Sequence, residues 1–263
     1  MLILLSLFPL VRLPAAGWRY WQQQVHTTIV CSLDTKQKII FGRMRLVYVN
    51  NSPDQLGRLM FHLYQNAYQP GSNMDKLYRT RGNYSIAGLE PEEQGYTEIE
   101  DIFDDERNTL RIRVDDTIGW VLLADTLMPG DSVILHMTFK TKFSSIRHRL
   151  QYSRDKWGNL QFDVAQWYPK VGVYDRYGWH PDQHIGYEFY GEFGTFDVSI
   201  TLPEHYIVGA TGVLVNRDEA LPRALRRKLD IRNFADKPYG ERPSVIIPPS
   251  KRLKTWVYHA ENV

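Results

Sequence analysis

Two consecutive stretches near the start of the chain constrain the fold most. From Val25 to Asp34 polar and apolar residues alternate, and from Lys38 to Tyr48 they alternate again. A period of two places every second side chain on one face, the mark of a half-buried strand. The cluster Asn50-Asn51-Ser52-Pro53-Asp54 then closes the second strand, and Met128-Pro129-Gly130-Asp131 is a further turn. Leu59 to Tyr64 is short and more fully apolar, as a central strand would be. Asn108 to Val114, Ser132 to Lys140, Gly194 to Leu202 and Lys254 to His259 are further strand candidates bounded by turn residues. Only Asp75 to Arg81 and Glu219 to Leu229 have helical character, and Pro222 interrupts the second. Many short strands in one chain predict an all-β fold, a β-sandwich or a large curved sheet, with short helices in its loops. The 16 Tyr, 11 Phe and 7 Trp fit that class.

The composition excludes several functions. One cysteine, Cys31, permits neither an internal disulfide framework nor a Cys-cluster zinc site. A net charge of +2 from 32 basic and 30 acidic side chains predicts no nucleic-acid partner. Residues 2–13 (LILLSLFPLVRL), followed by Pro14-Ala15-Ala16-Gly17, read as a secretory signal peptide or its remnant at 1–17. That reading puts the protein in a secreted or periplasmic location; the alternative is a first buried strand. The run is too short for a membrane span, which needs about 20 apolar residues. Between Glu90 and Glu106 there are nine acids and no Lys or Arg, which predicts a solvated loop. The mixed-charge stretch Arg217 to Arg242 predicts an exposed loop and short helix.

A search for chemistry returns mostly negatives. There is no glycine-rich phosphate loop and no G-x-S-x-G elbow. His180-Pro181-Asp182-Gln183-His184 has the histidine spacing of H-E-x-x-H, with Glu188 four residues on. The zinc motif needs a helix and a Glu beside its first His, whereas Pro181 stands there. A metal site from His180, His184 and Glu188 is therefore set aside in favour of a structural loop. The remaining histidines (26, 62, 136, 148, 205 and 259) show no ligand spacing beside a carboxylate. Trp157 to Thr195 is the most aromatic run. It reads equally as a seam between two layers or as a ligand wall or docking face, with Gln161, Asp163, Gln166, Asp175, Glu188 and Glu192 facing a cleft.

Within that run, Gln166-Trp167-Tyr168-Pro169-Lys170 and Val173-Tyr174-Asp175 resemble a region of the M1 zinc metallopeptidases. Glu188-Phe189-Tyr190-Gly191-Glu192-Phe193-Gly194, Phe196-Asp197-Val198, Leu202-Pro203 and Val208-Gly209-Ala210-Thr211-Gly212 are similar to a secreted bacterial branch of that family. So are Trp21-Gln22-Gln23, Asn50-Asn51-Ser52-Pro53 and Phe61-His62-Leu63-Tyr64-Gln65-Asn66-Ala67. Thr255-Trp256 and His259-Ala260-Glu261-Asn262-Val263 resemble the strand that leads into the catalytic domain. The resemblance implies that 18–263 is the N-terminal domain of such an enzyme, a saddle-shaped β-sandwich of mostly antiparallel strands.

Zinc is then expected in a separate catalytic domain that carries H-E-x-x-H, and no cofactor is expected on this chain. The implied role is to shape substrate access and dock the catalytic domain of an aminopeptidase-class enzyme. The expected partners are that C-terminal catalytic domain and a peptide substrate, and this chain alone should be inactive. The resemblance implies Gln161 as a substrate contact; a buried Gln satisfied by backbone groups is the alternative. Two other functions remain open. One is a stand-alone β-sandwich binding module. The other is a self-contained metal hydrolase built on His180, His184 and Glu188.

Overall fold

A computed structural model describes residues 20–186, 190–234, 238 and 240–263. The expected leader at 1–17 and Glu188 lie outside the described residues. The two alternating stretches become β1 (Gln24–Asp34) and β2 (Ile39–Val49), paired antiparallel from Gln24↔Val49 to Asp34↔Ile39. The Asp34 carboxylate closes their turn by accepting from the Lys36 and Gln37 backbone N–H groups at 2.8 and 2.9 Å. Next come β3 (Leu56–His62), helix α1 (Asn73–Thr80), β4 (Tyr96–Asp104), β5 (Arg111–Asp115), β6 (Ile118–Leu127) and β7 (Ser132–Lys142). The aromatic run supplies β8 (Leu150–Arg154), β9 (Leu160–Val164), β10 (Lys170–Val171), β11 (Tyr174–Asp175) and β12 (Gly178–Trp179). The chain then adds β13 (Thr195–Pro203), β14 (Val213–Leu214), helices α2 (Arg217–Ala220) and α3 (Arg223–Lys228), and β15 (Leu253–Ala260).

Seven strands form one sheet in the order β14-β15-β13-β1-β2-β7-β4, and four form a second in the order β10-β3-β6-β5. Every pairing is antiparallel except β1 with β13. The two sheets share one core. Ile29, Leu46, Tyr48, Leu135 and Phe139 of the larger sheet pack with Leu59, Phe61 and Val121 of the smaller, all essentially inaccessible to solvent. The molecule is thus an all-β sandwich, as the sequence predicts. Gly42 fits this packing for a steric reason, because a Cβ there would enter the ring of its cross-strand partner Phe139. A second cluster around the buried Trp256 joins β15 to Leu202 and Ala220. Among the described residues no helix is long and apolar enough to cross a membrane.

Two local readings change, and the break at Pro222 holds. The acidic stretch is not all loop, since β4 runs through it as an edge strand. Thr97 and Ile102 point inward while Glu98 and Glu100 point out and pair with Lys140 of β7 at 2.9 and 3.4 Å. Residues 118–127, unassigned from sequence, are a strand because their apolar residues are central in the smaller sheet. Pro222 splits the 219–229 helix into α2 and α3, since proline lacks the N–H that a continuous helix needs.

Candidate functional site

The aromatic run builds its own surface in steps. Gln166 adopts a left-handed φ of 56°, uncommon for a residue with a Cβ, and turns the chain out of β9. Its carbonyl accepts from Gln65 Nε2 at 3.1 Å. Among the described residues Gln65 Oε1 and Gln166 Nε2 are buried without a partner, an uncommon arrangement. Trp167 then packs on Phe139 with ring centres 6.3 Å apart, and Tyr168 packs on Trp167 and Phe196. Lys170–Val171 pair with Phe61 and His62 at the edge of the smaller sheet.

The next turn is a tight hairpin. Tyr174 pairs with Trp179, Gly178 takes the left-handed φ of 92°, and the Tyr177 N–H donates to Asp175 Oδ1 at 2.8 Å. Trp179 meets Tyr174, Trp120 and Tyr48 at 5.1, 6.2 and 6.3 Å, while Trp21 stacks on Tyr174. The outer rings differ: Tyr177, Phe193 and Tyr190 are 74%, 65% and 56% exposed.

Asp175 is the hub of this face. It sits 3.0 Å from His180 Nε2 and accepts from the Tyr190 hydroxyl at 3.4 Å. Burial alone would raise its pKa, but the hydrogen bonds from His180 and the Tyr177 N–H outweigh burial and hold the carboxyl below its ordinary value. Beside it, burial pushes the Glu192 carboxyl up and the Lys170 ammonium down, and each partly offsets the other's shift. The space beneath, lined by Tyr168, Lys170, Glu192 and Phe196, is about 10 Å³, which holds one water at most. The arrangement is therefore a surface rather than a substrate pocket. Exposed rings beside carboxylates suit a packed protein face or a cationic group.

The predicted site residues fall in different places. Gln161 is exposed on β9 and donates to Asp163 Oδ1 at 3.0 Å, so the alternative of a buried, backbone-satisfied Gln is corrected. A hairpin face, not the core, receives it because Gln161 is among the outward-facing residues of β9. His180 and His184 diverge. His180 joins Asp175, whereas the His184 ring lies edge-on to Tyr64 at 5.3 Å and its backbone N–H donates to Thr117 Oγ1. Pro181 leaves no helix to align them, so this pair does not fit zinc. Among the described residues no group of three His, Cys, Asp or Glu is placed to hold a metal.

Other histidines come together in ways their spacing did not signal. Asp197 lies 2.7 Å from both His26 Nε2 and His259 Nδ1, because the register of β1, β13 and β15 brings them side by side. His259 is held above its ordinary pKa by the hydrogen bond to Asp197 and then by Glu261. A second group is buried around Tyr64 and Tyr68. His62 stacks on Tyr64 at 5.1 Å, and His148 stacks on Tyr68 at 3.7 Å. Burial lowers the pKa of His62 to about 4 and of His148 to about 3, with His184 adding repulsion to both. No local sequence signal marks either group; only the topology assembles them.

No protein-family model and no curated protein matches this chain. Among solved structures it is similar to the M1 zinc metallopeptidase from Deinococcus radiodurans, at 13% identity and a TM-score of 0.44. It is also similar to a mutant of that enzyme bound to a Tyr-Ser-Ala substrate, at 12% identity and a TM-score of 0.43. Both alignments cover 90% of this chain and 39% of the other, so the chain spans about two fifths of the length of the structures it matches.

Proposed function

We propose that this chain is the N-terminal β-sandwich domain of a longer, exported, zinc-dependent M1-type metallopeptidase of the aminopeptidase class. In that role it docks a catalytic domain and shapes the path of a peptide substrate. The observation that carries the reading is the outward half of the aromatic run. Tyr177, Tyr190 and Phe193 stand exposed, with Asp175 and Glu192 half-buried, within the stretch whose motifs resemble the family. Large exposed rings are what a docking surface offers, since Tyr and other aromatics anchor interfaces. In this reading Gln161 contacts the substrate. The zinc and its activated water belong to the catalytic domain, because His180 and His184 are committed to other partners.

The test is the native product. Intact mass of the protein from its own source should exceed the 30.8 kDa of this chain. That product should contain zinc and release the first residue of an aminoacyl anilide, and this chain alone should not. A native product of 30.8 kDa without hydrolysis would overturn the reading in favour of a binding module.

A further inference from the structure

Each sheet ends in an edge strand beside one cleft. β4 is the last strand of the larger sheet there, and β5 is the last strand of the smaller. Between them is an open cleft of about 430 Å³, walled by Tyr96 and Ile99 from β4 and by Ile112 and Val114 from β5. Leu63, Asn66, Pro91, Gln94 and Glu98 are also among its lining residues, so its rim is polar. A space of this size can take several side chains.

The backbone beside the cleft is open too. The Thr97 N–H turns away from β7 and donates to Asn66 Oδ1 at 2.9 Å. Strand N–H groups alternate with period two, so the Ile99 N–H points the same way, toward the cleft side. The open stretch is short. At its far end Leu110 N–H donates to Ile102 O at 2.9 Å, and a bulge between Ile99 and Asp101 shifts the register. Sheets generally blunt a free edge of this kind.

The side chains set the chemistry of a partner. Thr97 and Ile99 face inward, while Glu98 and Glu100 face outward. Lys140 pairs with both glutamates, yet Asp101, Asp104 and Asp105 follow on the same edge with no Lys or Arg between Glu90 and Glu106. We propose that the β4 edge and its cleft receive an extended cationic peptide by strand addition. Its backbone pairs with Ile99, its alternate apolar side chains enter the cleft against Ile112 and Val114, and its alternate basic side chains lie over Glu98 and Glu100. This site is separate from the aromatic face and stands whether or not that face docks a catalytic domain.

The probe is an end-blocked, fluorescein-labelled Lys-Val-Lys-Val-Lys-Val peptide titrated into the 263-residue chain and followed by anisotropy. Saturable binding is expected, with the Ile99 amide exchanging at least about tenfold more slowly in the complex. N-methylation of the valines removes the pairing N–H groups and should weaken binding at least about tenfold, as should a Glu-Val peptide of the same length. Ile99→Asp and, at the more exposed wall, Val114→Asp should each abolish binding, with a thermal melt reporting that each variant folds. Equal binding of the N-methylated peptide would reduce the effect to charge attraction and overturn strand addition. So would an unchanged Ile99 exchange rate or no saturation at millimolar peptide. Concentration-dependent dimers of the free chain that Val114→Asp disperses would assign the edge to a second copy instead.

Discussion

The aromatic run contains two regions of like composition and opposite use. Its inward part, Trp167, Tyr168, Tyr174 and Trp179, packs against the sandwich, with Trp167 on Phe139 and Trp179 on Tyr48, Trp120 and Tyr174. Its outward half, Tyr177, Tyr190 and Phe193, leaves more than half of each residue in water. Asp175 links the two, since its carboxylate holds the hairpin turn on one side and the Tyr190 hydroxyl on the other. The stretch is therefore a seam between layers in one part and an exposed aromatic face in the other. Aromatic content says how much area is available to bury; only the alternation through the hairpin decides which rings spend it inside the fold.

The comparison breaks most sharply at Trp179. Trp179→Ala removes a ring that touches three others across two sheets and the hairpin. Truncating a large core aromatic costs about 3 kcal/mol or more through lost transfer energy and an unfilled cavity. Urea unfolding should show that loss directly. A loss below about 1 kcal/mol would mean that the inward half does not anchor the sandwich.

Acid should act next, and on the inward side alone. His62 pairs with Lys170 in register and stacks on Tyr64, so protonating it places a charge among apolar rings. Its folded pKa of about 4 lies below the 6.5 of an ordinary histidine. Between those values the unfolded chain binds a proton that the folded chain refuses, so stability falls as pH drops below about 6.5 and the loss stops growing below about 4. At pH 5 the loss from His62 is about 2 kcal/mol relative to pH 7.5. His148 and His184 are lowered in the same direction and steepen the fall. His62→Phe keeps the stack and removes the proton site. Its unfolding curve should match wild type at pH 7.5 within about 1 kcal/mol and exceed it at pH 5. Identical acid sensitivity in the variant would rule out His62 as a source.

A smaller effect belongs to the link between the halves. Asp175→Ala deletes the acceptor for the Tyr177 N–H and the Tyr190 hydroxyl, exposed groups that water can satisfy, and removes the carboxylate beside the buried His180 Nε2. The cost should be about 1 kcal/mol, with the Tyr190 ring broadened or shifted in NMR while Trp179 signals stay in place. Disturbance of Trp179 as well would merge the two regions into one unit.

The sandwich was legible from sequence where one face of a strand is buried, because burial imposes the period of two. β1, β2, β7, β13 and β15 all carry it. β4 was hidden because its outward positions and its flanks are acidic, and charge density masked the alternation of Thr97 with Glu98. β6 was hidden for the opposite reason, since its run of apolar residues has no period to read. The candidate site was legible in its ring content and in Asp175, but not in which rings turn outward. Asp197 with His26 and His259 was not legible at all. The partners are 171 and 62 residues away, and register across three strands, which no local pattern records, brings them together.

The outward half should barely register in stability. Tyr177→Ala, Tyr190→Ala and Phe193→Ala each remove a ring that is mostly in water, and surface changes of this kind stay within about 0.5 kcal/mol. In the longer protein proposed above, the same three changes should weaken association with the catalytic domain by at least about tenfold. An interface concentrates its energy in a few aromatic anchors that become buried only on contact. The informative readout is the difference between the two measurements. Limited proteolysis of the longer protein should cut faster at the junction between domains in the triple variant, while urea unfolding of this chain stays unchanged. If stability and proteolysis both stay at wild-type values, these rings are solvent-facing residues without a partner, and the docking face lies elsewhere on the sandwich. If the triple variant loses several kcal/mol in this chain alone, the rings belong to the core after all, and the division between inward and outward halves fails.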